Sequence, residues 1–249
     1  MLRAYLILTA AWVLPSSVAG QSLEQRLATI DRGTVHLNFA ARPGICGSGN
    51  SIRDLSSLEG SEEWEADCQS QPVRVALRVH DRRVVAVRTY VGGRWRSGSS
   101  ARDLGTIRPQ DAATYFLRLA AQGIDLSGDP VLPATLADSV AIWPELLTLA
   151  RSNSVPDDRR RSAIFWLGQA YGTAVAGALD SIAGDESTDS EIRKHAVFAL
   201  SQRRSDEAVP ALIRIARTSR DPELKRTALF WLGQSEDPRA LDLFEEILR

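Results

Sequence analysis

Between Val73 and Val91 apolar residues alternate with residues of another kind. Val73, Val75, Leu77 and Val79 share one face, and Arg74, Ala76 and Arg78 share the other. After His80-Asp81-Arg82-Arg83 the alternation resumes at Val85, Val87, Thr89 and Val91. A period of two interrupted by a short polar turn predicts an antiparallel hairpin with one buried face. Gly92-Gly93 ends it, and the stretch from Ser97 to Ser100 reads as a link. Val35, Leu37 and Phe39 alternate in the same way with His36 and Asn38, which predicts a further strand. Upstream, Ser22 and Gln25 have the spacing of a capping box, with Leu23, Leu27 and Ile30 at helical intervals, so a short helix is expected there. Gly44, Gly47 and Gly49 mark a loop between these elements.

In the second half of the chain the period lengthens to that of a helix, and the sequence repeats itself. The segments 161–169, 194–202 and 226–234 align without gaps at offsets of 33 and 32. In each, residues at i, i+3 and i+4 form one stripe: Ala163, Trp166 and Leu167, then Ala196, Ala199 and Leu200, then Ala228, Trp231 and Leu232. The alignment continues through Leu179, Leu212 and Phe244, and through Ile182, Ile215 and Ile247. Pro144, Gly177 and Pro210 also fall in one column, and counting back one period reaches Leu146 and Leu149. The unit is therefore a pair of helices. A single pair cannot bury its apolar face, so pairs must stack on their neighbours. Small Gly168, Ser201 and Gly233 close the first helices, and Asp221-Pro222 and Asp237-Pro238 have the form of helix starts. Ala112 to Gln122 is amphipathic and is expected to be a degenerate first helix, with Gly123 to Pro133 as an insertion. Trp166 and Trp231 read as packing between helices rather than as a ligand-stacking ladder.

The segment Ile192-Arg193-Lys194-His195-Ala196-Val197-Phe198-Ala199-Leu200-Ser201 resembles the first helix of short bacterial HEAT repeats. Ala228 to Gly233 matches the same pattern, with Trp231 in its second alanine position. The resemblance covers residues 139–249. It implies an α-helical solenoid that binds proteins along an extended surface, with the second helices on its concave side. Their exposed positions would include Thr148, Ser181, Arg214 and Glu246, followed by Arg151, Arg217 and Arg249. The signs are mixed, so no ligand class follows. Some short bacterial members resemble bilin lyases, and a fold alone does not exclude activity. No family is recognised for the N-terminal part.

Arg3 is the only charge in residues 1–20. It precedes an apolar run from Ala4 to Leu14 and a small-x-small ending at Ser17-Val18-Ala19. These are the marks of a secretory signal peptide, residues 1–20, which leaves no stable membrane anchor once removed. The run is too short for a comfortable bilayer span of about 20 residues. Export to the periplasm or the medium makes the two cysteines, Cys46 and Cys68, an expected disulfide. Residues 21–104 would be the β-rich module and residues 105–249 the helical domain. The fold class is α+β, a small disulfide-linked antiparallel module followed by a HEAT-like solenoid.

Formal net charge is −1 over 249 residues, which gives no global field for nucleic acid. Charge is uneven, however. Residues 73–108 hold nine arginines against Asp81 and Asp103, and residues 51–69 hold six acids against Arg53. The acidic loop is expected to fold onto the basic sheet. No Gly-x-Ser-x-Gly elbow, phosphate loop, dinucleotide fingerprint or metal spacing occurs. Glu62-Glu63-Trp64-Glu65 offers paired carboxylates, but in a loop this acidic they read as solvated. No catalytic, cofactor or metal residue is assigned, and no cofactor is expected. The expected function is an exported, non-catalytic scaffold for a protein partner. The alternative is an enzyme or small-ligand binder whose site lies between the two parts, where His36, His80 and the arginines converge. The last helix carries Leu241, Leu243, Phe244, Ile247 and Leu248, and is a candidate surface for self-association. Leu243, larger than Ala178 and Ala211 in its column, is the expected contact residue there.

Overall fold

The computed structural model describes residues 21–48, 63–68, 72–170 and 173–249. The signal-peptide segment, and most of the acidic loop, lie outside the described residues. Helix α1 (Leu23–Ala28) is held by the expected capping box: Gln25 N–H donates to Ser22 Oγ at 3.2 Å, and Ser22 N–H to Gln25 Oε1 at 3.0 Å. Strands follow at β1 (Arg32–Ala40), β2 (Gly47–Ser48), β3 (Trp64–Glu65), β4 (Pro72–His80), β5 (Arg83–Val91), β6 (Arg94–Trp95) and β7 (Arg102–Thr106). The main sheet has the order β2-β5-β4-β1-β7, and β3 pairs with β6 in a separate ribbon.

The β4–β5 hairpin turns at Asp81 and Arg82, which have φ of 50° and 62°. Two successive left-handed residues match the twist of a two-residue hairpin loop. The register slips beside the turn: Val79 pairs with Val84, and Arg78 with Ala86. Val84 therefore takes the buried place that alternation gives to Val85, and Val85 stands in the bulge. The loop before α3 uses that bulge. Ser127 N–H donates to the Val85 carbonyl at 3.0 Å, and its carbonyl accepts from Val87 N–H at 2.9 Å, which covers an edge of the sheet. Gly128, at φ +85°, lies against the Val87 backbone, where a Cβ has no room. Not every pairing is antiparallel. β7 lies parallel to β1 on the opposite edge, just past the link read from Ser97 to Ser100.

The helices are α2 (Pro109–Ala121), α3 (Val131–Thr135), α4 (Trp143–Arg151), α5 (Asp157–Gln169), α6 (Thr173–Gly184), α7 (Ser190–Ser201), α8 (Ser205–Thr218), α9 (Pro222–Gly233) and α10 (Pro238–Leu248). Helix α2 packs on the inner face of the sheet, with the Phe39 and Phe116 rings 6.3 Å apart. One apolar core thus runs from Leu23 to Leu243. Counting back 33 residues from Ile164–Gly168 lands on Val131–Thr135. The first helix of the incomplete leading repeat is therefore α3, a single turn, and not the segment Ala112 to Gln122. Close stacking rests on small residues: a Cβ added to Gly168 would sit 3.1 Å from the Ala199 Cβ. Leu243 is buried at 2% exposure, so it is core; Leu241, Ile247 and Leu248 are the exposed apolar residues of α10.

Buried arginines tie one repeat to the next. Arg160 Nε donates to the Ala150 carbonyl at 3.2 Å, and Arg193 Nε to the Ala183 carbonyl at 3.0 Å. Both acceptors lie in the last turn of the preceding helix, where carbonyls lack intrahelical partners. Arg193 also donates to Asp221 Oδ2 at 3.3 Å, while Asp221 Oδ1 accepts from Glu223 N–H at 2.9 Å at the start of α9. Replacing Asp221 by Ala removes a helix cap and leaves Arg193 short of an acceptor, an expected loss of about 2 kcal/mol. Asp221→Asn keeps the cap and loses less; urea denaturation of both variants checks this. At the hairpin, Arg82→Gly relieves a left-handed side chain and is expected to stabilise the fold by about 0.5–1 kcal/mol, read in the same way.

Candidate functional site

The outer face of the sheet is closed by the β3–β6 ribbon. Trp64 is fully buried there, its indole N–H donating to the Gly92 carbonyl at 3.0 Å. Trp64 stacks on Tyr90 with centroids 5.1 Å apart, and Trp95 stacks on His36 at 3.8 Å. Cys46 and Cys68 are bonded, with Cα atoms 5.7 Å apart, and this links β2 to the end of the ribbon. A disulfide suits a non-cytoplasmic environment. No helix among the described residues is long and apolar enough to cross a membrane.

The described part of the acidic loop pairs with the basic sheet as charge complementarity demands. Glu63 meets Arg88 at 3.1 Å and accepts from the Tyr90 hydroxyl, and Glu65 takes both nitrogens of the Arg94 fork at 3.0 Å. Arg74 donates Nε to the Gly93 carbonyl at 2.8 Å. The structure does not bring the histidines together. His36 lies beneath Trp95 at 4% exposure, whereas His80 is exposed at the hairpin turn, 3.0 Å from Asp81. Neither reaches the space between sheet and solenoid.

That space exists and has other walls. A cleft of about 460 Å³ separates the loop after β1 from the first complete repeat. Trp143, Leu146 and Trp166 supply its apolar surface, and Arg42, Thr135 and Gln169 its polar groups. The cleft follows from the shortness of α3. Trp231 of α9 rests on Phe198 of the preceding first helix, with centroids 5.3 Å apart. Trp166 occupies the same column of α5, but the helix before it is one turn long, so its indole borders open space. The tryptophans are half-buried and packed against the core, as expected for helix packing, yet Trp166 keeps one side free.

A second surface runs along the first helices. Phe165 is 45% exposed and Phe230 57%, and half-buried Phe198 lies between them in sequence and in the stack. Phe165 meets Trp166 edge-on at 5.2 Å, and Phe230 meets Trp231 at 4.9 Å. The aligned boxes contain this column: it lies two residues after each buried alanine, roughly 200° around the helix and so opposite the core stripe. Thr148, Ser181, Arg214 and Glu246 are exposed on the second helices as expected. Their polar face is largely occupied by bonds within the molecule. Arg151 donates to Ser181 Oγ at 2.7 Å, Arg214 pairs with Asp180, and Arg217 with Glu246. Arg42 carried no signal in the sequence, because it reaches the cleft only through the pairing of Ala41 with Ala137.

A family model for HEAT repeats matches residues 144–229 and again residues 182–249. Residues 144–249 are a HEAT-like repeat domain. No curated protein sequence matches the chain.

Burial lowers the pKa of His36, with Arg88 and Arg74 acting in the same direction against Glu63 and Asp103. The unfolded chain then takes up a proton first as pH falls. The His36 contribution is therefore complete above pH 6.5 and declines below it. Thermal melts between pH 5 and 8 are expected to show this decline. His36→Gln flattens it, and the remaining slope includes His195, whose pKa burial and Arg161 also lower.

Proposed function

We propose that the protein is an exported, non-catalytic scaffold that holds a protein partner against the aromatic ridge of α5, α7 and α9. The exposure of Phe165 and Phe230, two residues in one column of a stacked array, carries this reading. Large aromatic groups left in water at regular spacing suit a partner that covers them, since such residues dominate interface energies. HEAT repeats generally mediate protein–protein interaction, which supports the same view. The second-helix face is a poorer candidate, because its charges already pair across repeats. A non-catalytic role accords with the acids of the ribbon, which are held in ion pairs, and with a histidine stacked under a tryptophan. Export accords with the disulfide and with the pattern of residues 1–20. The exposed Leu241, Ile247 and Leu248 form a second apolar patch, through which two copies associate.

Photo-crosslinking side chains placed at positions 165, 198 and 230, expressed in the native host, are expected to give one common adduct. The same groups at 148 and 181 give none. The double variant Phe165→Ser, Phe230→Ser loses that adduct while melting close to the parent, since exposed substitutions rarely shift stability by more than about 0.5 kcal/mol. Equal adducts from both faces, or none from the ridge, overturn the assignment. N-terminal sequencing of protein recovered outside the cytoplasm tests export. Sedimentation over a range of concentrations, with Ile247→Glu alongside, tests self-association.

A further inference from the structure

The cleft between sheet and solenoid has a composition that specifies an occupant. Two indoles, Trp143 and Trp166, and Leu146 line it, and among the described residues no carboxylate does. Among those residues its one cation is Arg42. The Arg42 side chain makes no ion pair or hydrogen bond among the described residues, and its Nε is buried without an acceptor. Arg159 Nε and Nη1 and Arg160 Nη2 are buried without partners too, but Arg159, Arg160, Arg193 and Arg203 each donate to at least one carbonyl or carboxylate through another nitrogen. The Arg42 Nε is the buried part of a partly exposed side chain, and an anion seated on the guanidinium would supply the acceptor it lacks. The wall also contains Ser139, a non-glycine residue held at φ +55°. Left-handed backbone of this kind is concentrated at ligand sites. The volume lies within the usual range for small-molecule sites.

We propose that this cleft binds a small organic carboxylate with a flat apolar body. The carboxylate lies on the Arg42 guanidinium, whose planar fork matches two oxygens. The apolar body packs against Trp143 and Trp166, which offer broad, stiff surfaces at little entropic cost. This goes beyond the scaffold reading and does not depend on it, because none of Phe165, Phe198 and Phe230 borders the cleft.

Naphthalene-2-carboxylate and its uncharged analogue 2-naphthamide distinguish charge recognition from apolar adsorption. Each is titrated into the mature full-length protein, followed by tryptophan fluorescence and calorimetry. The carboxylate is expected to bind at one site, at least tenfold more tightly than the amide. Arg42→Gln reduces carboxylate binding to the level of the amide, and Arg42→Lys, which keeps charge but not the fork, falls between. Trp166→Ala weakens both probes. Circular dichroism melts confirm that the variants are folded, and the Arg42 pair carries the test if Trp166→Ala does not fold. The double variant Phe165→Ser, Phe230→Ser binds as the parent does, so failure of the scaffold reading leaves this result intact. Equal affinity for acid and amide, undiminished binding by Arg42→Gln, or no saturable binding of either probe overturns the proposal.

Discussion

Every helix ends in carbonyls that no residue of that helix can satisfy, and in a stack of short helices these ends are buried. The solenoid meets this constraint with guanidinium groups. Arg160 and Arg193, one period apart, each reach back ten residues to the last turn of the preceding second helix. Arg203 does the same from the turn after α7, donating to the Gly168 and Ala170 carbonyls at the end of α5. A cation also suits the negative end of a helix dipole. The same side chains therefore satisfy the backbone and fix the distance between successive pairs. The close approach of Gly168 to Ala199 belongs to the same spacing.

The β module answers a different shortage. Its sheet has two faces and only one is covered by helices. The outer face is sealed by a ribbon of two short strands, too small to persist alone. Trp64 and Trp95 of the ribbon pack against Tyr90 of β5, and the Cys46–Cys68 bond limits the ways the ribbon can detach. In the chain-entropy account, closing a loop with a sequence separation of 22 contributes about 3 kcal/mol.

The repeats were the most legible part of the chain because each position recurs with its surroundings. The stripe Ala163, Trp166, Leu167 and its two copies locate three helices and their buried faces. The capping box at Ser22, the β4–β5 hairpin and the disulfide were legible for a similar reason, since each has a local or pairwise signature. What could not be read depends on distant backbone. The bulge at Val85 is where Ser127, distant in sequence, docks on the strand. β7 runs parallel to β1 because the chain crosses to the far edge of the sheet. Arg42 and Trp166 face each other across a space created by the shortness of α3, and no spacing in the sequence connects them. The histidines illustrate the converse. They are conspicuous as residue types, yet the fold separates them.

The placement of α2 decides in which direction the stack can vary. Its inner face is committed to the sheet through Phe116, and it also touches α1, α3 and α4. Another helix pair inserted on that side would have to displace the sheet. Beyond α5 each pair touches only its neighbours, so duplication or loss of a pair leaves the remainder undisturbed. The β module is in this sense the fixed anchor of an array whose length is free to change, and the cleft beside α3 stays at the anchored end however many pairs follow.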